Sequence, residues 1–152
     1  MWRFICLAFF ACASAQAQWQ SDVVDAHNSI RVRLNLPPLV WSDTVAAVAQ
    51  RWAERLVARN EFLHRPKNVY GENMFKIVGS PWKPARVITE WAAESGNYDY
   101  ESNHCRGICG HYTQLVWRDT QEVGCGVARK GRIEIWVCDY NPPGNWVGKR
   151  PY

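Results

Sequence analysis

Four cysteines crowd the last third of this chain, Cys105, Cys109, Cys125 and Cys138, and they constrain its fold more than any other feature. Their meaning depends on compartment, because thiols pair in oxidising surroundings and stay reduced in the cytosol. The N-terminus indicates which applies. Arg3 gives a short basic start, Phe4 to Ala13 is apolar, and Ala15-Gln16-Ala17 is a small-x-small cleavage site. Residues 1–17 therefore read as a secretory leader, with the mature chain expected to begin at Gln18. Phe9-Phe10-Ala11 is a poor lipobox, which argues against a lipid anchor at Cys12. Cleavage removes Cys6 and Cys12 and leaves an even set of cysteines in an exported chain, the condition that favours disulfides.

Strand patterning makes one pairing the favoured one of three connectivities. Glu122 to Ala128 and Arg132 to Tyr140 are strand-like, separated by turn residues Arg129-Lys130-Gly131. With Gly131-Arg132 as a two-residue turn, Cys125 and Cys138 fall opposite each other, close enough for a cross-strand bridge. That leaves Cys105 with Cys109, a small loop fixing the approach to His111.

The 152 residues suit one domain with a sizeable core, 47% hydrophobic and 21% charged, with nine tryptophans as packing anchors. Basic residues are spread along the chain rather than gathered in a run, so nucleic-acid binding has no support. No segment after the leader approaches the twenty or so apolar residues of a transmembrane helix. A secreted monomer is expected, extracellular, or periplasmic in a Gram-negative host.

Ser21 is a candidate N-cap for a first helix running to about Leu34, with Asn35 as its stop. Pro37-Pro38 forces an extended connector. Ser42 then caps a second helix whose stripe is Val45, Val48, Ala49, Trp52, Ala53 and Leu56, ending at Asn60. Phe62 to Ser80 reads as loop with one strand, Met74 to Val78. Pro84 suits the first turn of a third helix buried through Val87, Ile88 and Trp91 and stopping near Ser95-Gly96-Asn97. A short fourth helix carries His111 to Trp117, and the Pro- and Gly-rich chain from Asn141 is neither helix nor central strand.

Several separated segments share a pattern: His27-Asn28-Ser29-Ile30-Arg31, Pro37-Pro38-Leu39-Val40-Trp41, Gly71-Glu72-Asn73, Cys109-Gly110-His111-Tyr112-Thr113-Gln114-Leu115-Val116-Trp117, and Cys138-Asp139-Tyr140-Asn141-Pro142-Pro143-Gly144-Asn145. Together they resemble the CAP superfamily of cysteine-rich secretory proteins, venom antigen 5 proteins and plant pathogenesis-related proteins of group 1, with one SCP domain over 18–152. The resemblance implies an α+β fold, a three-layer α-β-α sandwich with a small, mostly antiparallel sheet. It also implies a cleft lined by His64, Glu72, Glu94 and His111. Glu94 is preferred to its neighbour Glu90 because it follows Trp91 by three residues; His27 and His104 stay outside the cleft. Two departures stand out. Cysteines of the plant relatives are missing at about Asn60 and Lys130, and Asp139 replaces an asparagine. In plants the tail can be released as a signalling peptide.

Two imidazoles across a cleft can bind a divalent ion, zinc first, with carboxylates orienting them. The resemblance makes His64 and His111 the ligands, a thin shell that implies weak, reversible binding lost as the histidines protonate. Some relatives bind sterols or fatty acids, so an apolar ligand beneath the loop Tyr98 to Asn103 is a second expectation, and a macromolecular partner a third. The alternative is a metal-assisted hydrolase with Glu72 or Glu94 as base. No HExxH pair, nucleophile elbow or free thiol compels it, and a non-catalytic role is expected.

Overall fold

The computed structural model describes residues 5–152, with side chains from Ser14 onward; of the expected leader, residues 1–4 and the side chains of 5–13, Cys6 and Cys12 among them, lie outside the described residues. The first helix, α1 (Ile5–Arg31), is longer than the one predicted from Ser21. Ser21 does not cap it, since the hydroxyl donates to Asp25 Oδ2 at 3.1 Å from an exposed mid-helix position. The correction has a local cause. No glycine or proline interrupts residues 13–20, and Trp19 is anchored against Trp41 and Trp136 at ring separations of 5.8 and 5.6 Å. The predicted stop holds: after one 3-10 turn (Val32–Leu34), Asn35 turns left-handed at φ 53°.

Extended chain through Pro37-Pro38 leads to β1 (Val40–Trp41). Ser42 sits at the N-cap of α2 (Asp43–Arg59) with extended backbone, although its hydroxyl makes no capping bond, and Asn60 ends the helix at φ 55°. The stripe is buried as expected apart from Val48, which is half-buried, and Ala46 and Val57 join it. Then follow β2 (Gly71–Val78), three residues longer than predicted, α3 (Pro84–Ala93) and a 3-10 turn (Glu94–Asn97). A two-stranded ribbon of β3 (Tyr98–Asp99) and β4 (His104–Cys105) precedes α4 (Gly110–Leu115). Last come β5 (Glu122–Lys130) and β6 (Ile133–Asn141).

The main sheet runs β1-β5-β6-β2, antiparallel except for the short β1–β5 pairing. Lys130 lies opposite Ile133 across the two-residue turn, which places Cys125 opposite Cys138 with Cα atoms 4.1 Å apart, disulfide-bonded. Cys105 is bonded to Cys109. Strand alternation then sorts side chains into two cores. Val123, Cys125, Trp136, Cys138 and Tyr140 face α1, α3 and α4 through Val23, Val87, Ile88, Trp91 and Leu115. Met74, Ile135 and Val137 face α2 through Ala49, Trp52, Ala53 and Leu56. The result is the expected α-β-α sandwich. On the second face α2 lies directly on β5 at Gly124 and Gly126, where a Cβ would run into the backbone of Ala46 and of Gln50.

Buried polar groups tie the layers together. Arg31 donates to the carbonyls of Pro37 (2.8 Å), Leu115 and Trp117 (both 2.9 Å), Thr120 (3.2 Å) and Arg118 (3.4 Å). Burial lowers its guanidinium only to about 10, so it stays charged at neutral pH. His27 is fully buried, and burial depresses its pKa to about 4. Neutral, it donates from Nδ1 to the Val23 carbonyl (2.8 Å) and accepts from the Tyr140 hydroxyl at Nε2 (2.9 Å). Asn73 in turn donates to the Tyr140 oxygen (3.3 Å) and to the His111 carbonyl (3.0 Å).

Gly126→Ala should destabilise the fold by about 1–3 kcal/mol through overpacking, whereas Gly96→Ala, where an added Cβ meets nothing, should be near neutral. Urea unfolding checks both. A second expectation concerns pH. His27, depressed to about 4 from 6.5, contributes stability that is lost as pH falls through that window, about 3 kcal/mol. Asp139, whose carboxyl burial raises to about 7 from 3.8 against the pull of Arg65, acts with the opposite sign: its contribution is present at low pH and lost as pH rises towards 7. The two offset each other between about pH 4 and 6.5. Asp139→Asn should therefore expose a fall in unfolding free energy of about 3 kcal/mol from pH 6.5 to 4; a profile no steeper than the parent's would contradict it.

Candidate functional site

Asn60 reverses the chain after α2, and Trp52 Nε1 donates to the Leu63 carbonyl at 3.2 Å, pinning the following loop against the helix. That loop presents His64. Its Nδ1 lies 2.6 Å from Glu72 Oε1, which also accepts the Arg65 backbone N–H at 3.1 Å. Glu72 is the second residue of β2 and pairs across the sheet with Asp139. Arg65 Nη2 donates to Asp139 Oδ2 at 2.8 Å and to Asn68 Oδ1. Glu72 Oε2 and Arg65 Nε are buried without a hydrogen-bond partner.

The second pair forms where α3 runs into its 3-10 turn. Trp91 is buried and Glu94, three residues on, reaches the start of α4. Glu94 Oε2 accepts the backbone N–H of His111 (3.0 Å) and of Tyr112 (3.4 Å), so it caps that short helix. Its Oε1 holds His111 Nδ1 at 2.6 Å, while the Trp91 ring stacks beside the imidazole at 6.0 Å and 18°. Glu90 is exposed on α3, His104 is exposed in the loop, and His27 belongs to the core network.

The four residues are thus brought together as two carboxylate–imidazole pairs. Asn73 links them, being the chain neighbour of Glu72 and the donor to the His111 carbonyl. They do not form one tight cluster: among the described residues no three His, Cys, Asp or Glu side chains are gathered so as to hold a metal ion. The pairs also differ in setting. The His64 side chain is 64% exposed above a Glu72 that is 5% exposed, whereas His111 and Glu94 are 28% and 17% exposed. The hydrogen bond to Glu72 raises the His64 pKa above its ordinary value, outweighing burial. In both pairs the carboxylate takes Nδ1–H, which leaves the Nε2 lone pair of the neutral ring without a hydrogen bond among the described residues.

The loop Tyr98 to Asn103 covers the C-terminal tail. Tyr100 stacks on Tyr152 at 4.9 Å and receives Arg150 at 5.6 Å over its ring, while Arg150 donates to the carbonyls of Tyr100 and Glu101. Tyr98 packs against Tyr100 and Tyr112 and donates to Asn103 at 2.8 Å. Between loop and tail a cavity of about 280 Å³ remains, bounded by Tyr98, Asn103, Thr113, Trp117 and Trp146. The aromatic alternation in this loop is therefore accounted for by packing. Asn73, Arg65 and Arg31 were given no role from the sequence. Asn73 and Arg31 lie inside the quoted motifs, but the partners of Asn73 are 38 and 67 residues away and those of Arg31 up to 89.

No helix among the described residues is long and apolar enough to cross a membrane. The CAP profile, described as the cysteine-rich secretory protein family, matches residues 24–140. Pathogenesis-related protein 1 of Arabidopsis thaliana is 37% identical over 134 residues, covering 88% of this chain and 82% of that protein. Pathogenesis-related protein 1A of Nicotiana tabacum is 40% identical over 136 residues, 88% of this chain and 80% of its own. Among solved structures, venom allergen-like protein 4 of Schistosoma mansoni superposes with a TM-score of 0.74 at 25% identity, over 88% of this chain and 93% of that one. With a matching family profile, relatives and fold, the chain belongs to the cysteine-rich secretory protein (CAP) family.

Proposed function

We propose that this protein is an exported, non-catalytic binding protein whose His64 and His111 take a divalent ion, zinc first, reversibly. One observation carries the reading: each imidazole is held at Nδ1, 2.6 Å from a glutamate, so that Nε2 is fixed as a donor to a metal. This carboxylate–imidazole geometry suits zinc chemistry, and two protein ligands match weak binding. Zinc would supply positive charge and open coordination positions. The protein's own part is to orient the rings through Glu72 and Glu94.

The same geometry argues against the hydrolase alternative. Glu94 uses both oxygens, one on the imidazole and the other on two backbone N–H groups. Glu72 Oε1 is shared by His64 and the Arg65 amide, and its Oε2 is buried. A general base needs a carboxylate free to take a proton from water; these are committed to positioning. Export to the extracellular space, or to the periplasm in a Gram-negative host, is the part of this proposal that rests on the leader expected at residues 1–17.

Calorimetric titration of the protein with zinc at pH 8 should give weak binding that falls about tenfold or more in both His64→Ala and His111→Ala. Unchanged affinity in both would remove the proposed ligands. Glu94→Gln should cost about 10–100-fold in affinity through the lost support of His111, with urea unfolding run alongside to separate loss of the α4 cap. Because Glu72 holds His64 protonated to a higher pH than the ordinary 6.5, zinc should be displaced on acidification starting above that value. Turnover of a peptide or ester substrate that disappears in Glu94→Gln without loss of fold would restore the hydrolase.

A further inference from the structure

We propose that a cavity of about 710 Å³ between α1, β1, α2 and β5 is a binding site for an amphiphilic organic cation, an ammonium head on a slender apolar body. The cavity exists because the sheet edge is incompletely covered. β1 pairs with β5 only at Glu122 and Val123. The closing pair of a two-residue hairpin exchanges hydrogen bonds, so Val123, Cys125 and Val127 turn their backbone N–H and C=O groups away from β6. Val123 is served by the Ser42 N–H at 3.0 Å. Val127 is capped by the Gln50 amide, which accepts from its N–H at 2.9 Å and donates to its carbonyl at 3.1 Å. Cys125 lies between these two covers and forms part of the cavity wall. The volume falls within the range of about 300–1,000 Å³ usual for small-molecule sites.

The walls select the ligand. Trp19 and Trp41 meet edge-on at 84° and 5.8 Å, and Trp19 is braced from behind by stacking on Trp136. Two aromatic walls at a corner suit a cation better than any anion. Among the described residues Asp43 is the one charged side chain in the lining, and no lysine, arginine or histidine joins it there. Its Oδ1 is engaged by Trp41 Nε1 at 2.8 Å and by Gln20 at 3.5 Å, while Oδ2 takes no hydrogen bond among the described residues. A full negative charge there outweighs the roughly half-unit positive end of α2. A carboxylate head would face Asp43 with no cation to receive it, and an alcohol would gain a hydrogen bond without charge attraction. Ala15 and Gln16 of the lining fall in the expected leader, and the other described lining residues lie beyond Gln18 and so belong to the mature chain.

The protein purified from the medium of an exporting host, its N-terminus read by mass spectrometry, can be titrated with dodecyltrimethylammonium, dodecanoate and dodecanol below their aggregation concentrations. The expected result is one-to-one binding of the ammonium, about tenfold or more tighter than either other ligand. Asp43→Asn, which keeps an acceptor for Trp41, should reduce the ammonium to the level of the alcohol. Ala47→Trp, a filling substitution at an exposed position of α2 on the cavity wall, should weaken binding of the ammonium. Equal or tighter carboxylate binding, a preference unchanged in Asp43→Asn, or ammonium binding undiminished in Ala47→Trp would overturn the assignment, as would no binding at all. Zinc affinity unaltered in both variants would show that this site and the imidazole pairs fail or stand separately.

Discussion

The rest of the structure hangs on the buried guanidinium of Arg31. It stands at the last residue of α1 and spends its donors on carbonyls of the Pro37 connector and of the segment from Leu115 to Thr120. Those carbonyls belong to the end of α4 and the turn that follows, a stretch too short to hold its own shape. A charged group buried in this way is costly unless its hydrogen bonds are made. Here they are made to backbone, so the charge dictates where the segment carrying His111 must end. The start of that segment is set by Glu94 and its loop by the Cys105–Cys109 bridge. His111 is positioned from both sides.

A second network carries the constraint across the sheet. His27, Tyr140 and Asn73 form a chain of hydrogen bonds from α1 through β6 to β2, and Asn73 closes it on the His111 carbonyl. Burial keeps His27 neutral, which the chain requires, since a doubly protonated ring could not accept from Tyr140. On the opposite face the demands are apolar and steric. Gly124 and Gly126 let α2 sit on β5 at backbone distance, and Gln50 covers the strand edge that β1 leaves open. Asp139, the departure from the plant pattern, is accommodated next to Glu72 by Arg65 and Asn68.

Much of this was legible in the residues. The hairpin register and both disulfides followed from one turn, because a two-residue connection leaves little freedom in what lies opposite what. The choice of Glu94 over Glu90 came from family spacing; in the structure Glu94 lies on His111 and Glu90 is exposed on α3. The start of α1 was misplaced because a good N-cap residue is also tolerated on an exposed helix face, and Ser21 occupies such a face. The aromatic loop over residues 98–103 resembled the cover of a groove; in the structure Tyr100 packs on Tyr152 of the C-terminal tail and Tyr98 on Tyr112 of α4.

The sequence by itself determined most of the secondary elements and the disulfides through local periodicity and turn chemistry, and its resemblance to the CAP superfamily named the sandwich and the four polar residues of the candidate site. Only the tertiary structure decided that the four residues form two carboxylate–imidazole pairs joined through Asn73, that Arg31 and His27 are the buried ties between layers, and that a tryptophan-walled cavity with a single carboxylate opens at the β5 edge. Each depends on groups tens of residues apart meeting in space at hydrogen-bond or van der Waals distance. Such meetings are fixed by how three layers close on one another, and no short window of sequence contains them.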